Sequence, residues 1–237
     1  MYKNYIFDLY GTLVDIKTNE NSKLLWDKLS LFYSFNGAYY DSKSLKAAYK
    51  KKLKNTKLSI RNTVYPDFPL EDIFRGLFQD KIGTVSDTLV KSTAQIFRTL
   101  SIKYLRLYDG VISLLELLKK NNKNIYLLSN AQEIFTSYEL KILGIEKYFD
   151  SIYFSSTYGV CKPDKIFYQK IINNLKLDIE KSIMIGNDSI ADIQGAKSVG
   201  LDTLYIHSNL SPNIENQIDS TFSIMDGNIK DIARLII

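Results

Sequence analysis

Residues 3–15 read KNYIFDLYGTLVD, and this stretch constrains the fold more than any other in the chain. The apolar run Tyr5-Ile6-Phe7 ends on a carboxylate, Asp8, and a glycine and a hydroxyl, Gly11 and Thr12, follow at once. A strand that hands an acid to a glycine-containing turn sets that acid at the carboxyl edge of a sheet. Open α/β sheets bind their ligands at that edge.

Further short apolar runs fall at 3–8, 124–129, 151–155, 182–186 and 202–206. Helical patterns separate the later ones. Residues 110–120 place Val111, Leu114, Leu115 and Leu118 on one face, and 133–143 and 165–175 repeat the pattern more weakly. Pro163 suits the first turn of a helix, and Gly200 suits the stop of one running from about 190. Strands and helices that alternate from 105 onward predict an α/β, doubly wound parallel sheet. Residues 16–104 break the alternation, with helical stretches and no convincing strand. Leu25, Leu29 and Phe32 share one face, Leu89, Ile96 and Leu100 share another, and Pro66 and Pro69 interrupt the segment. The expected organisation is a core of residues 1–15 plus 105–237 and an inserted helical lobe over 16–104, lying across the sheet edge above Asp8.

Composition removes several function classes. No apolar stretch approaches the ~20 residues of a membrane helix, and the chain begins directly on a strand pattern without a signal-like segment. The single cysteine, Cys161, excludes an internal disulfide framework and any zinc site built on several cysteines, and fits a cytoplasmic location. The net charge of +5 comes from scattered lysines without a recognition motif, so an anionic small substrate explains it without a nucleic-acid partner. Lys50, Lys51, Lys52 and Lys54 read as a solvated helix face. The one histidine, His207, has no nucleophile motif beside it, so carboxylates and lysine are the expected catalysts. A monomer and a homodimer both fit.

Four polar islands stand at predicted strand ends: Asp8-Leu9-Tyr10-Gly11-Thr12; Ser129-Asn130; Lys162 in GVCKPD; and Gly186-Asn187-Asp188, with Asp192 following. Taken singly, Ser129 reads as a helix cap, Lys162 as a loop lysine, and Asp188 with Ser189 as the cap of the next helix. Together, the segments DLYGTL, LLSNA, KPD and IGNDSIADIQGA resemble, in order, the motifs of the haloacid dehalogenase superfamily, whose members are mostly phosphatases. The resemblance covers the core and implies a Rossmann-like sheet with a helical cap. It implies a magnesium-dependent phosphatase of a small phosphorylated metabolite, in which Asp8 attacks phosphorus and forms an aspartyl-phosphate. It assigns magnesium to Asp8, the carbonyl of Tyr10 and an acid of the fourth island, either Asn187's position or Asp188. Thr12, Ser129, the amides around Asn130, and Lys162 would hold phosphate, with Lys162 also orienting Asp8. Asp192 would hold Lys162 or a metal-bound water.

Two positions depart from the family pattern. Tyr10 stands where phosphatases of the family carry a second acid, and a phenol with a pKa near ~10 is a poor base at neutral pH. Losing such a group costs ~10²–10⁴ in rate and is felt least by substrates with good leaving groups. Tyrosine there, with Tyr168 after Lys162, is also the arrangement of 2-haloacid dehalogenases. Those enzymes carry an arginine about thirty residues after the nucleophile, where this chain reads FNGAYYDSK. Asn187 falls where the usual metal-binding acid stands. A 2-haloacid dehalogenase is therefore the rival expectation, and a weakly active member that binds a phosphorylated ligand is the third.

Overall fold

A computed structural model describes residues 2–61, 63–214 and 217–237. The chain runs β1 (Asn4–Phe7), β2 (Val14–Thr18), four helices α1 (Lys23–Phe35), α2 (Ser42–Ser59), α3 (Leu70–Ile82) and α4 (Asp87–Ser101), then β3 (Ile102–Leu107) and α5 (Val111–Lys120). It continues through β4 (Asn124–Ser129), α6 (Glu133–Ile142), β5 (Ser151–Phe154), α7 (Ser155–Tyr158), α8 (Lys165–Leu175) and β6 (Ser182–Gly186). A wide turn over Ser189–Gln194 leads into α9 (Gly195–Lys197), followed by β7 (Asp202–Ile206), β8 (Phe222–Ile224) and α10 (Lys230–Ile236).

Six strands form one parallel sheet in the order β5-β4-β1-β6-β7-β8. Both faces are covered, which is why its strands read as apolar runs rather than alternating ones. Tyr5 and Phe7 of β1, Ile125 and Leu127 of β4, and Ile183 and Ile185 of β6 pack on the side of α5 and α10. The residues between them, Ile6, Tyr126, Leu128 and Met184, pack on the side of α8 and α9. The expected doubly wound α/β sheet is present. From β1 the chain builds outward through β4 and β5, then returns to build through β6, β7 and β8. The strand order therefore reverses at β1, and the carboxyl end of β1 is the switch point where such sheets place a ligand.

Helices α1 to α4 form a layer with its own aromatic cluster, centred on Trp26, Tyr33, Tyr49, Phe74, Phe78 and Phe97. Asp41 starts α2 by accepting from the amides of Lys43 and Ser44, both at 2.9 Å, and Ser86 starts α4 by accepting from Leu89 N–H. Pro66 and Pro69 lie between α2 and α3, as their interruption of the pattern predicts. Ile134 and Phe135 of α6 enter the same cluster, so the helical layer is packed onto the core.

Several details differ from the sequence expectation. The segment expected to lack strands is bracketed by an antiparallel ribbon of β2 and β3. Its strands, VDIKT and IKYLRL, mix apolar with charged residues and are only partly buried. The buried stripe of α4 is Val90, Thr93, Ala94 and Phe97, whereas Leu89, Ile96 and Leu100 are half-buried beside it. In α1, Phe32 is likewise half-buried beside Leu25, Trp26, Leu29 and Tyr33. Ile96, Leu100 and Phe32 line an apolar groove of about 590 Å³ between α1 and α4. Pro163 precedes the cap residue Asp164 of α8 rather than sitting in the helix.

Candidate active site

The register of β1 fixes the nucleophile's place. Phe7 pairs with Leu127 and with Ile185, so Asp8 leaves the sheet level with the ends of β4 and β6, its amide donating to Ile185 O at 2.9 Å. The next turn closes on itself. Leu13 N–H and Val14 N–H both donate to Leu9 O, and Gly11 N–H donates to Val14 O. Tyr10's carbonyl takes no part in these bonds. Gly11 has φ +87, a left-handed conformation that favours glycine.

Lys162 enters from the loop between α7 and α8. Its ammonium has three hydrogens and three acceptors: Asp8 Oδ1, Asp192 Oδ1 and Leu128 O, each at 2.7 Å. Burial acts to strip its proton, but the Asp192 and Asp8 charges beside it prevail, and its pKa stands above the ordinary lysine value. Burial pushes Asp192 upward, and Asp8's charge adds to this against the pull of Lys162. Two carboxylates thus share one fixed positive charge in a buried site. The lysine loop is itself held by Asn130, whose side-chain amide accepts from Lys162 N–H at 2.8 Å and donates to Lys162 O at 3.0 Å. Asn130 therefore orients Lys162 with its side chain.

Asp192 has its second oxygen on Asp188 N–H at 2.9 Å, so both of its oxygens are engaged. That arrangement pairs Asp192 with Lys162. A β-carbon on Gly186 would sit 2.2 Å from Asp192 Oδ2, so glycine at the end of β6 makes room for this carboxylate. Tyr168, fully buried, donates to Ala191 O at 2.6 Å and holds the turn that carries Asp192. Asp188 Oδ1 caps the turn through the amides of Ile190 and Ala191, at 2.8 and 2.9 Å. Asp188 therefore plays the expected capping part and also lines the pocket.

Thr12 Oγ1 lies 3.2 Å from Asp8 Oδ2 and 3.3 Å from Asn187 Oδ1. A hydroxyl has one hydrogen, so it serves one of these acceptors at a time. Ser129 Oγ is buried at the end of β4 and, among the described residues, is the one buried side-chain polar atom without a hydrogen-bond partner. Asp8, Tyr10, Ser129, Asn130, Lys162, Asn187, Asp188 and Asp192 line a common cavity of about 170 Å³. All four islands meet there.

The chain matches the family model of haloacid dehalogenase-like hydrolases over residues 2–200. It belongs to that family. It is 27% identical over 236 residues to the pyrimidine 5'-nucleotidase PynA of Streptococcus pneumoniae, covering 94% of this chain and 91% of that protein. It is 28% identical over 178 residues to a phosphoglycolate phosphatase of Aquifex aeolicus, covering 73% and 82%. Among solved structures, a 2-haloacid dehalogenase from Pseudomonas syringae pv. Tomato superposes with a TM-score of 0.64 at 17% identity, covering 99% of this chain and 97% of that one. The magnesium-bound HAD-hydrolase YfnB of Bacillus subtilis superposes at 0.57 with 19% identity, covering 99% and 98%. At these identities the solved structures speak for the fold alone. The family and the phosphatase relatives make this chain a hydrolase.

In this hydrolase, Tyr10 turns its phenol away from Asp8, toward α4 and α6. It donates to Glu139 Oε2 and lies 2.9 Å from Thr136 Oγ1 and 3.4 Å from Arg98 Nη2. Burial and the Glu139 charge raise the phenol's pKa well above its ordinary value, so Tyr10 is no proton carrier at neutral pH. Sequence reasoning missed Arg98 and Glu139. The available signal was an acid inside the apolar stripe of α6, one turn after Phe135. It also missed Leu210 and Pro212, from the loop after β7, which form one wall of the cavity. Burial and the nearby Asp67 push the Cys161 thiol up to about 11.

The donors around the cavity suit a hard cation. Asp8, the carbonyl of Tyr10, Asn187 and Asp188 can each present an oxygen, and magnesium is commonly held by one or two carboxylates with waters and substrate phosphate. Among the described residues no group of three or more His, Cys, Asp or Glu side chains is gathered in metal-binding geometry. A cation here would rest on a mixed set of carboxylate, amide and carbonyl oxygens.

Proposed function

We propose that this chain is a magnesium-dependent phosphatase of small phosphorylated metabolites, with Asp8 as nucleophile. The observation that carries the reading is the carboxylate of Asp8, gripped by a buried, fully bonded ammonium and facing a small cavity that holds an unpartnered serine hydroxyl. Lys162 orients Asp8 and offsets the charge of an incoming phosphate. An oxygen of Asp8 bonds to phosphorus as the bond to the leaving oxygen breaks, and water then cleaves the aspartyl-phosphate to release phosphate and restore the carboxylate. Ser129 and Thr12 would donate to phosphoryl oxygens, Thr12 by giving up its bond to Asp8 or Asn187. Asp8, the Tyr10 carbonyl, Asn187 and Asp188 would hold magnesium, which when bound supplies positive charge between two anions. The helical layer over 16–104 acts as the cap over this centre. No described helix is long and apolar enough to cross a membrane, and with the single cysteine this fits action in the cytoplasm.

The residue at the usual acid's position, Tyr10, turns its phenol to Glu139 instead. Aryl and acyl phosphates should therefore outperform alkyl phosphomonoesters. The S. pneumoniae relative spans the helical layer as well as the core, which makes pyrimidine nucleoside monophosphates the first substrates to try. Phosphate release from a panel of acetyl phosphate, p-nitrophenyl phosphate and nucleoside monophosphates should require magnesium and vanish in Asp8→Asn. Activity that persists in that variant refutes the reading. Tyr10 motivates the dehalogenase alternative, which halide release from 2-chloropropionate without metal would support. Arg98 is the arginine that the helical layer brings nearest Tyr10, but it is committed to Glu139.

A further inference from the structure

The position that usually carries the family's acid is occupied here by a residue with a complete set of partners. Tyr10's single phenolic hydrogen goes to Glu139 Oε2. Its oxygen then accepts from Thr136 Oγ1 at 2.9 Å and from Arg98 Nη2 at 3.4 Å. Arg98 Nε closes the ring on Glu139 Oε1 at 2.5 Å. The side chains of Arg98 and Glu139 are only 15% and 4% exposed, so this is an interior ion pair. The Arg98 guanidinium also lies 5.2 Å from the Phe135 ring centroid.

The four residues come from three places: the turn after the nucleophile, helix α4 of the layer above, and helix α6 of the core. Thr136 and Glu139 are three residues apart on α6 and so present one face. An interior ion pair is costly, and well-packed apolar residues would glue two helices as well or better. A polar ring differs in being directional. It fixes where the Tyr10 ring, and hence the Tyr10 backbone beside Asp8, can lie.

The cavity gives the ring a task. At about 170 Å³ it is smaller than the ~300–1,000 Å³ of ordinary small-molecule sites. Its lining residues all come from the core and none from 16–104, so the ring around Tyr10 is where the layer reaches the turn beside Asp8. The layer is also attached to the core elsewhere. In the link between α2 and α3, Asp67 accepts from Ser155 Oγ at 2.5 Å and from Gln132 Nε2 at 3.0 Å. That anchor grips the link between helices and does not touch the nucleophile turn.

We propose that Arg98 and Glu139 are positioning residues that, through Tyr10, latch helix α4 onto the nucleophile turn, so that seating of the helical layer and alignment of the catalytic backbone are one event. The proposal rests on Asp8 being the nucleophile only for its kinetic consequence; the latch itself is a statement about closure.

The test uses the full chain and three conservative variants, Tyr10→Phe, Arg98→Lys and Glu139→Gln, with circular dichroism to verify folding. Hydrogen exchange reads closure without any activity. Each variant should speed exchange in residues 95–101 and 133–139 and leave α2 and the sheet unchanged. Unchanged exchange in all three overturns the latch, whatever the enzyme does. Kinetics with p-nitrophenyl phosphate then reads alignment. Tyr10→Phe and Arg98→Lys should each lower kcat, by up to ~10²-fold, with a smaller change in KM. The double variant should be no worse than the poorer single one, a non-additivity on the order of tenfold. Additive losses would mean that the two residues act separately, and would also overturn the proposal. If wild type shows no turnover while the exchange results hold, the phosphatase reading fails and the latch stands.

Discussion

The side-chain amide of Asn187 fills the space that a β-carbon on Gly11 would need: that carbon would sit 2.2 Å from Asn187 Nδ2 and 2.6 Å from Cγ. The turn after the nucleophile and the end of β6 are therefore in backbone-to-side-chain contact, and the glycine is required twice, for its φ of +87 and for the absent side chain. Gly11→Ala should displace the Asn187 amide and strain the turn by ~1–2 kcal/mol. The expected outcome is a folded protein whose activity falls at least ~10²-fold, with a higher magnesium concentration for half-maximal rate. Gly83→Ala, with no atom within 4 Å of the new carbon but a similar positive φ, is the control for backbone strain alone. Equal losses of activity in both would show that the Asn187 contact is irrelevant.

Lys162 separates structure from chemistry. Replacing it with methionine leaves Asp8 and Asp192 as adjacent buried carboxylates, and removing one partner of a buried ion pair costs about 3–5 kcal/mol. Activity should fall by ~10²–10³ or more, because the charge aimed at the reacting group is gone. Adding Asp192→Asn to Lys162→Met should restore much of the stability, since one of the unpaired charges is removed, and none of the activity. Denaturant unfolding and phosphate release measure the two quantities. Recovery of activity in the double variant would remove Lys162 from the mechanism.

The legible parts of this chain are those where one physical demand dominates. Strands β1, β4, β6 and β7 are buried on both faces, so their apolar runs stand out. Three of the four polar islands stand out because they end those runs, whereas Lys162 comes from the loop between α7 and α8. The ribbon of β2 and β3 did not stand out, because VDIKT and IKYLRL are short, only partly buried and interrupted by charges. Roles set by distant partners were also hidden. Asn130 holds the backbone of Lys162, 32 residues away, and Glu139 holds Tyr10, 129 residues away. Neither segment names the distant partner, although an acid inside the buried stripe of α6 shows that Glu139 must have one. The same applies to Tyr10, whose identity reads as a missing acid until Arg98 and Glu139 are seen around it.

Ser129 has no partner to lose, so Ser129→Ala should leave stability unchanged, or raise it slightly by relieving a buried unpaired hydroxyl, a group that costs roughly 1–3 kcal/mol. If the hydroxyl serves phosphate, the same change should raise KM and weaken inhibition by inorganic phosphate several-fold, consistent with the ~0.5–1.5 kcal/mol of one hydrogen bond. Thermal unfolding and inhibition kinetics on one preparation test both halves. A destabilised variant with unaltered phosphate affinity would make Ser129 a structural residue.

Asp15 gives the fold a pH dependence remote from the reacting groups. It sits buried on β2, with Oδ2 accepting from Arg106 Nε at 2.9 Å and Nη2 at 2.8 Å, and Oδ1 from Asn209 Nδ2 at 3.0 Å. Burial alone would raise its pKa, but the hydrogen bonds from Asn209 and Arg106 prevail and lower it. A carboxyl whose folded pKa is depressed stabilises the protein fully above its unfolded value of about 3.9, and that contribution is lost as pH falls through the folded value. The stability difference between wild type and Asp15→Asn should therefore be flat from pH 7 to about 5 and shrink below about 4. Urea unfolding at a series of pH values measures it. A difference that widens in acid would mean that the folded state raises the Asp15 pKa, and that burial outweighs the bonds from Arg106 and Asn209.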